Sequence, residues 1–157
     1  MKVGYINPFI VATREVFKTM IKMPVMLGKP YLRDPGSPPH KLAVVIAMRG
    51  AVDGQVVIGL SEGIATTVAT AMLGTPFDKV DGDCIDAIKE MANMIVGGAK
   101  KDLPGGIVEM ALPRVVVAPQ VVAYPPGWPI VALPCDAGAG RFTIEMTIRE
   151  IAPAKAA

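Results

Sequence analysis

Residues 83–103 read Asp83-Cys-Ile-Asp-Ala-Ile-Lys-Glu-Met-Ala-Asn-Met-Ile-Val-Gly-Gly-Ala-Lys-Lys-Asp-Leu103. At about 100° per residue, Ile85, Ile88, Ala92, Ile95, Val96, Ala99 and Leu103 fall on one side, an apolar stripe wide enough for a core-facing helix. The acidic residues Asp81, Asp83 and Asp86 suit the positive end of the helix dipole, and Pro104-Gly-Gly106 stops the helix. Asp83, Asp86, Glu90, Asn93, Gly97 and Lys101 occupy the opposite side, so Glu90 and Asn93 are expected one turn apart and facing water. Asparagine is a poor helix former, and each of Gly97 and Gly98 costs on the order of 1 kcal/mol relative to alanine. A bare turn beside two polar groups is what close approach of another protein's backbone requires. The plainer reading is that Glu90 and Asn93 are an ordinary solvated pair.

Outward from this helix, residues 6–23 show a second helical pattern through Ile6, Ile10, Thr13, Phe17, Met20 and Ile21, with Phe9 and Val16 beside them, and Pro24 ends it. A strand is expected over Val25–Leu32, followed by a Pro/Gly-rich loop from Arg33 to His40. The β-branched runs Leu42–Met48 and Gln55–Leu60 read as a hairpin. Ser61 precedes a helical run to Leu73 that Gly74 and Pro76 close, as in an N-capped helix. Further strands are expected near Ile107–Val117, Trp128–Cys135 and Arg141–Glu150, with a Pro-rich loop at Pro119–Pro126. Each half is thus a long helix followed by three strands, and Met23-Pro24 aligns with Leu103-Pro104, which points to an internal repeat. The expected fold is α/β of the α+β kind: two long helices and one shorter helix packed on a largely antiparallel six-stranded sheet, with a pseudo-twofold repeat.

The chain of 157 residues fits one domain over 1–157, and its 52% hydrophobic and 19% charged residues are those of a well-packed globular protein. A formal net charge of +2, with no long run of either sign, leaves no electrostatic footprint for nucleic acid. The N-terminal segment carries Arg14, Glu15 and Lys18 within its apolar pattern and reads as a domain helix, not a signal peptide. Prolines interrupt the most apolar region before it reaches the ~18 residues a membrane span needs. A cytoplasmic protein is expected. Cys84 and Cys135 read as two small apolar residues, with a disulfide still open. With His40 the single histidine, no Cys/His zinc site or two-histidine metal site assembles within the chain. Any metal has to come with a partner.

The segment Asp86-Ala-Ile-Lys-Glu90-Met-Ala-Asn93-Met-Ile matches a motif of Asp or Ser, three residues, Glu, two residues, Asn. Through it the sequence resembles the CheC/CheX chemotaxis phosphatases, which act on a phosphorylated response regulator. Gly54-Gln-Val-Val-Ile-Gly-Leu-Ser-Glu62, Ala71-Met-Leu-Gly74 and Leu112-Pro-Arg-Val115 also look like segments of that family. The single motif is similar to the CheX branch more than to CheC, whose members usually carry two; in the repeat, Glu90 and Asn93 fall opposite Ile10 and Thr13, which cannot do the same work.

The resemblance implies an aspartyl-phosphate phosphatase with Glu90 and Asn93 as catalytic residues; Asp86 of the motif, the bare turn at Gly97 and Met94 beside the polar stripe are read as partner-binding, Asp86 serving equally well as a helix-dipole residue. It implies a CheY-like receiver domain as partner, a homodimer, and no cofactor of the chain's own, the receiver supplying Mg²⁺. Met91 and Met94 flank the polar stripe and offer adaptable apolar contacts, Met91 reading equally well as core. Acyl-phosphate hydrolysis passes through a loose transition state, so orienting the attacking water matters more than deprotonating it, and a carboxamide suffices.

Two rival readings come from other classes. Gly59-Leu-Ser61-Glu-Gly63 matches the G-x-S-x-G nucleophile elbow, but that motif needs a histidine after its serine, whereas His40 precedes it and Ser61 already serves as a helix cap. The second rival is a catalytically silent binding module related to the flagellar-switch domains. The presence of both Glu90 and Asn93 weighs against it.

Overall fold

Three apolar, largely β-branched runs and one alternating segment build the centre of the molecule. In the computed structural model, which describes residues 2–151, β3 (Leu42–Gly50), β4 (Val52–Leu60), β7 (Val131–Asp136) and β8 (Arg141–Glu150) are the inner strands of one sheet. Short edge strands complete it: β1 (Met26–Leu27) and β2 (Tyr31–Leu32) both pair with β7, while β5 (Val108–Met110) and β6 (Arg114–Val117) both pair with β3. All pairings are antiparallel and the order is β1-β7-β8-β4-β3-β5. That order mirrors the repeat read from the sequence, with β4 and β8 at the centre and the edge pieces of each half paired to the other half.

Among the described residues the six expected strands appear as eight, because each edge strand is broken in two. The expected Val25–Leu32 strand parts at Gly28-Lys-Pro30, opposite Pro134 of β7, which has no N–H to donate. Gly28 still donates to the Pro134 carbonyl at 2.8 Å, and a Cβ on Gly28 would stand 2.8 Å from the Pro134 ring. Pro113 breaks the other edge between β5 and β6 in the same way.

Three helices cover one face. The first, α1 (Val3–Val16), begins earlier than the expected residue 6 and widens into a π-helical turn over Phe17–Ile21, after which Lys22 takes a left-handed conformation and Pro24 prevents continuation. Its buried side includes Phe9, Thr13 and Phe17, whereas Met20, expected in the core, is exposed. Ser61 caps α2 (Glu62–Leu73), its hydroxyl accepting from the Ile64 N–H at 3.2 Å, and Gly74 closes the helix in the left-handed region. Asp81 caps α3 (Gly82–Lys100), accepting from the Cys84 N–H at 2.9 Å, so this helix starts and stops slightly before the expected 83–103. Residues 42, 44, 46 and 48 of β3 join 142, 144 and 146 of β8 in the main core under these helices.

The other sheet face carries Ala43, Val45, Val57 and Val116, covered by Val122 and Tyr124 from the Pro-rich loop.

Candidate functional site

The site is built from α3 outward. Ile88, Met91, Ala92, Ile95 and Val96 are all fully buried and lock the helix against the sheet and its neighbours. Each large apolar side chain among them contributes roughly 1.5–3 kcal/mol of burial. Met91 is therefore core and not a flanking contact. Ile85, expected within the buried stripe, is only half-buried.

With that face committed, Asp86 and Glu90 stand exposed, and Asn93 and Gly97 half-buried, along the outward side of successive turns. Neighbouring positions on such a row lie about 5–6 Å apart between Cβ atoms. Among the described residues, neither Glu90 nor Asn93 makes a side-chain hydrogen bond or ion pair, so both keep their full bonding capacity for another molecule. Met94 lies half-buried beside this row and packs on the main core, so only part of it is offered outward.

The paired glycines have different settings. A Cβ on Gly98 would meet the Ala12 Cβ of α1 at 3.3 Å, so this glycine serves the α1–α3 crossing inside the molecule. Gly97 has only the Met110 sulfur near, at 3.9 Å, and nothing internal demands a glycine there. Thr13, opposite Asn93 in the repeat, is buried and donates to the Phe9 carbonyl at 2.6 Å. The equivalent face of α1 thus offers no second pair.

Both cysteines are free and buried. Burial pushes the Cys135 thiol up to about 12, and burial with the nearby Asp81 carboxylate raises Cys84. No group of three or more His, Cys, Asp or Glu side chains among the described residues is placed to hold a metal ion.

One polar cluster went unread in the sequence. On the sheet face away from the helices, Glu145 is 1% exposed and accepts from Arg33 Nε at 2.9 Å, from the Tyr124 hydroxyl, and bonds His40 Nε2 at 2.8 Å. Thr143, Glu145 and Thr147 alternate with Phe142, Ile144 and Met146, a pattern that reads as a solvated face; nothing in it says that two loops fold back over the strand. Chain order did not keep His40 from Ser61, since a Cβ on Gly59 would overlap the His40 ring and both residues border one cleft. No Ser61–His40 hydrogen bond forms among the described residues, and the serine oxygen is occupied as the α2 cap.

The model of the chemotaxis phosphatase CheX family matches residues 42–136, which include the whole of α3. The chain belongs to the CheX family. A relative from Thermotoga maritima, CheY-P phosphatase CheX, is 28% identical over 119 residues, covering 74% of this chain and 77% of that protein. The crystal structure of a CheC-like superfamily protein from Shewanella sp. PV-4 superposes with a TM-score of 0.85 at 29% identity, over 95% of this chain and 99% of that one. The CheX chain in a CheX-CheY-BeF3-Mg²⁺ complex from Borrelia burgdorferi shares the fold with a TM-score of 0.77 at 22% identity, over 93% and 98% of the two chains.

Proposed function

We propose that this CheX-family chain hydrolyses the aspartyl phosphate of a CheY-like receiver domain in chemotaxis, with Asn93 and Glu90 of α3 as its catalytic residues. The observation that carries the assignment of the site is the outward pair itself: a carboxamide and a carboxylate one turn apart, on a helix fixed by a buried face, with no side-chain partner among the described residues. The Thermotoga relative is by name a CheY-P phosphatase, and the Borrelia relative forms a complex with CheY; both support the reading.

In this reading α3 lies across the receiver's active site. The Asn93 amide donates one hydrogen bond and accepts another, and so holds a water in line with the phosphorus; in a loose transition state that positioning supplies most of what is needed. Glu90 pairs with the lysine that receivers carry beside the phosphorylated aspartate and fixes the helix in register. Mg²⁺ bound by the receiver neutralises charge on the phosphoryl oxygens. Asp86 extends the acidic side of the contact, Gly97 lets the receiver's backbone approach, and Met94 gives an apolar edge.

The same proposal takes residues 1–157 as one domain working in the cytoplasm, where receiver domains are. No helix among the described residues is long and apolar enough to cross a membrane. It also takes the working form as a homodimer. Both borders of the sheet, β1–β2 and β5–β6, leave backbone groups open for pairing, and sedimentation velocity checks the mass.

The deciding experiment follows decay of a phosphorylated receiver with wild-type protein and with Asn93→Ala. Wild type should accelerate the decay and the variant should lose about two orders of magnitude of that acceleration, as loss of a positioning group does. Receiver binding without any acceleration by wild type would favour the silent-module reading.

A further inference from the structure

The sheet border that follows α3 carries one residue too many. Met110 of β5 pairs with Met48 of β3 and Arg114 of β6 with Val45, so the four steps from 110 to 114 answer the three from 48 to 45. The Ala111 N–H donates to the Ala47 carbonyl at 2.9 Å, which leaves Leu112 and Pro113 together opposite Ile46. Two residues against one make a β-bulge, a feature that re-aims a side chain. Ile46 is buried in the core under the helices, and residues opposite one another share a sheet face, so Leu112 stands on the side that carries α3. It is 89% exposed.

The other border is built in the same way. Leu27 pairs with Cys135 and Tyr31 with Ala132, Gly28 donates to the Pro134 carbonyl, and Lys29 and Pro30 stand together opposite Leu133. The bulge thus belongs to the repeated fold, but its first residue is a lysine in the half whose helix carries Ile10 and Thr13, and a leucine in the half whose helix carries Glu90 and Asn93.

Position gives the leucine its meaning, since single exposed apolar residues are common on protein surfaces. The chain leaves α3, passes Ala51 at Gly105 and Gly106, and returns as β5, so helix and border run in opposite directions. Met110 is level with Gly97, where a Cβ would stand 3.9 Å from the methionine sulfur. Four residues back along α3, from Gly97 to Asn93, cover about 6 Å. Two residues on along the border, from Met110 to Leu112, cover about 6.6 Å. Leu112 therefore stands level with Asn93, at the rim of the same surface.

Taking α3 as the receiver-binding helix, on which this rests, we infer that Leu112 is a specificity-determining contact: an apolar knob that seats on an apolar patch beside the receiver's phosphorylated aspartate as Asn93 enters the site. It acts on binding and not on the hydrolytic step.

Decay of a phosphorylated receiver gives KM and kcat, and titration with a receiver carrying BeF3 and Mg²⁺ gives binding without turnover. Leu112→Ser should raise KM and the titrated Kd about tenfold, the scale of one leucine losing its burial, with kcat and the thermal midpoint unchanged. Leu112→Met should restore most of the affinity. Ile107→Ser, at a similarly exposed residue of the same border beyond the end of α3, should change neither constant. Wild type that binds without hydrolysing would overturn the phosphatase reading alone, the binding comparison still deciding the role of Leu112. Unchanged KM and Kd in Leu112→Ser, an equal loss in Ile107→Ser, or a fall in sedimentation mass that assigns the leucine to contact between copies of this chain, would overturn the inference.

Discussion

Glu90 and Asn93 owe their accessibility to residues that are not polar at all. Because Met91 and Ala92 between them are fully buried, the helix cannot roll to hide the pair. Reversing the charge with Glu90→Lys should therefore leave the fold within about 0.5 kcal/mol of wild type, as exposed helix substitutions do. The same change should raise the receiver concentration needed for half-maximal turnover far more than it lowers the maximal rate, which steady-state kinetics on a phosphorylated receiver reads directly. Glu145 predicts the opposite. It is buried among Arg33, His40 and Tyr124, so Glu145→Ala strands a buried guanidinium and should cost about 3–5 kcal/mol in urea unfolding. Little loss would mean that water enters and solvates the cluster. The contrast also shows what single residues reveal in a sequence. Glu90 was legible because its helix states its own periodicity, whereas Glu145 was not, since the residues that bury it lie in loops more than a hundred positions and about twenty positions away.

At the scale of elements, the two glycines of α3 separate packing from docking. Gly98→Leu drives a side chain into Ala12 of α1 and should destabilise by about 1–3 kcal/mol through overpacking. Gly97→Ala meets only ordinary contact with Met110 and should stabilise the helix by about 0.5–1 kcal/mol. If the bare turn at Gly97 is where a receiver lies, the more stable variant should nevertheless turn over phosphorylated receiver more slowly; unchanged turnover would remove Gly97 from the docking surface. Helix limits were read closely where a side chain announces them, as Ser61 and Gly74 do for α2. They were missed at α1, whose first residues, Val3 and Gly4, are exposed and give no buried-face signal, and whose π-helical turn begins at Phe17, stacked on Phe142, a residue far along the chain. The edge strands were read as continuous although Pro30 and Pro113 stand inside them, and Pro134, which faces the first break, belongs to a different strand and leaves no local sign of it.

At the scale of the whole molecule, four acidic groups are kept in their neutral forms. Burial pushes Cys135 up to about 12; burial and Asp81 raise Cys84; burial with Glu150 raises Tyr5; and burial with Glu145 raises Tyr124. The unfolded chain releases these protons at the ordinary values of 9.0 and 10.0 while the native chain keeps them, so the native state binds more protons in alkali. Stability is then full below pH 9 and falls as pH rises from there, by at most about 1.4 kcal/mol per pH unit for each group. Denaturant midpoints between pH 8 and 10.5 should decline, and Cys135→Ala should make the decline shallower. A flat profile would mean that the thiols and phenols titrate normally in the folded protein.

The crossed-over borders of the sheet have one more consequence. Each half surrenders its own outermost strands to its counterpart, β1 and β2 going to β7 while β5 and β6 go to β3. A polypeptide severed in the connection between Gly74 and Asp81 would yield two pieces, each lacking the hem that finishes it. Neither should fold in isolation, and mixing them should restore a native-like circular dichroism spectrum, so that complementation of fragments becomes a direct measure of how deeply the two repeats are interlocked.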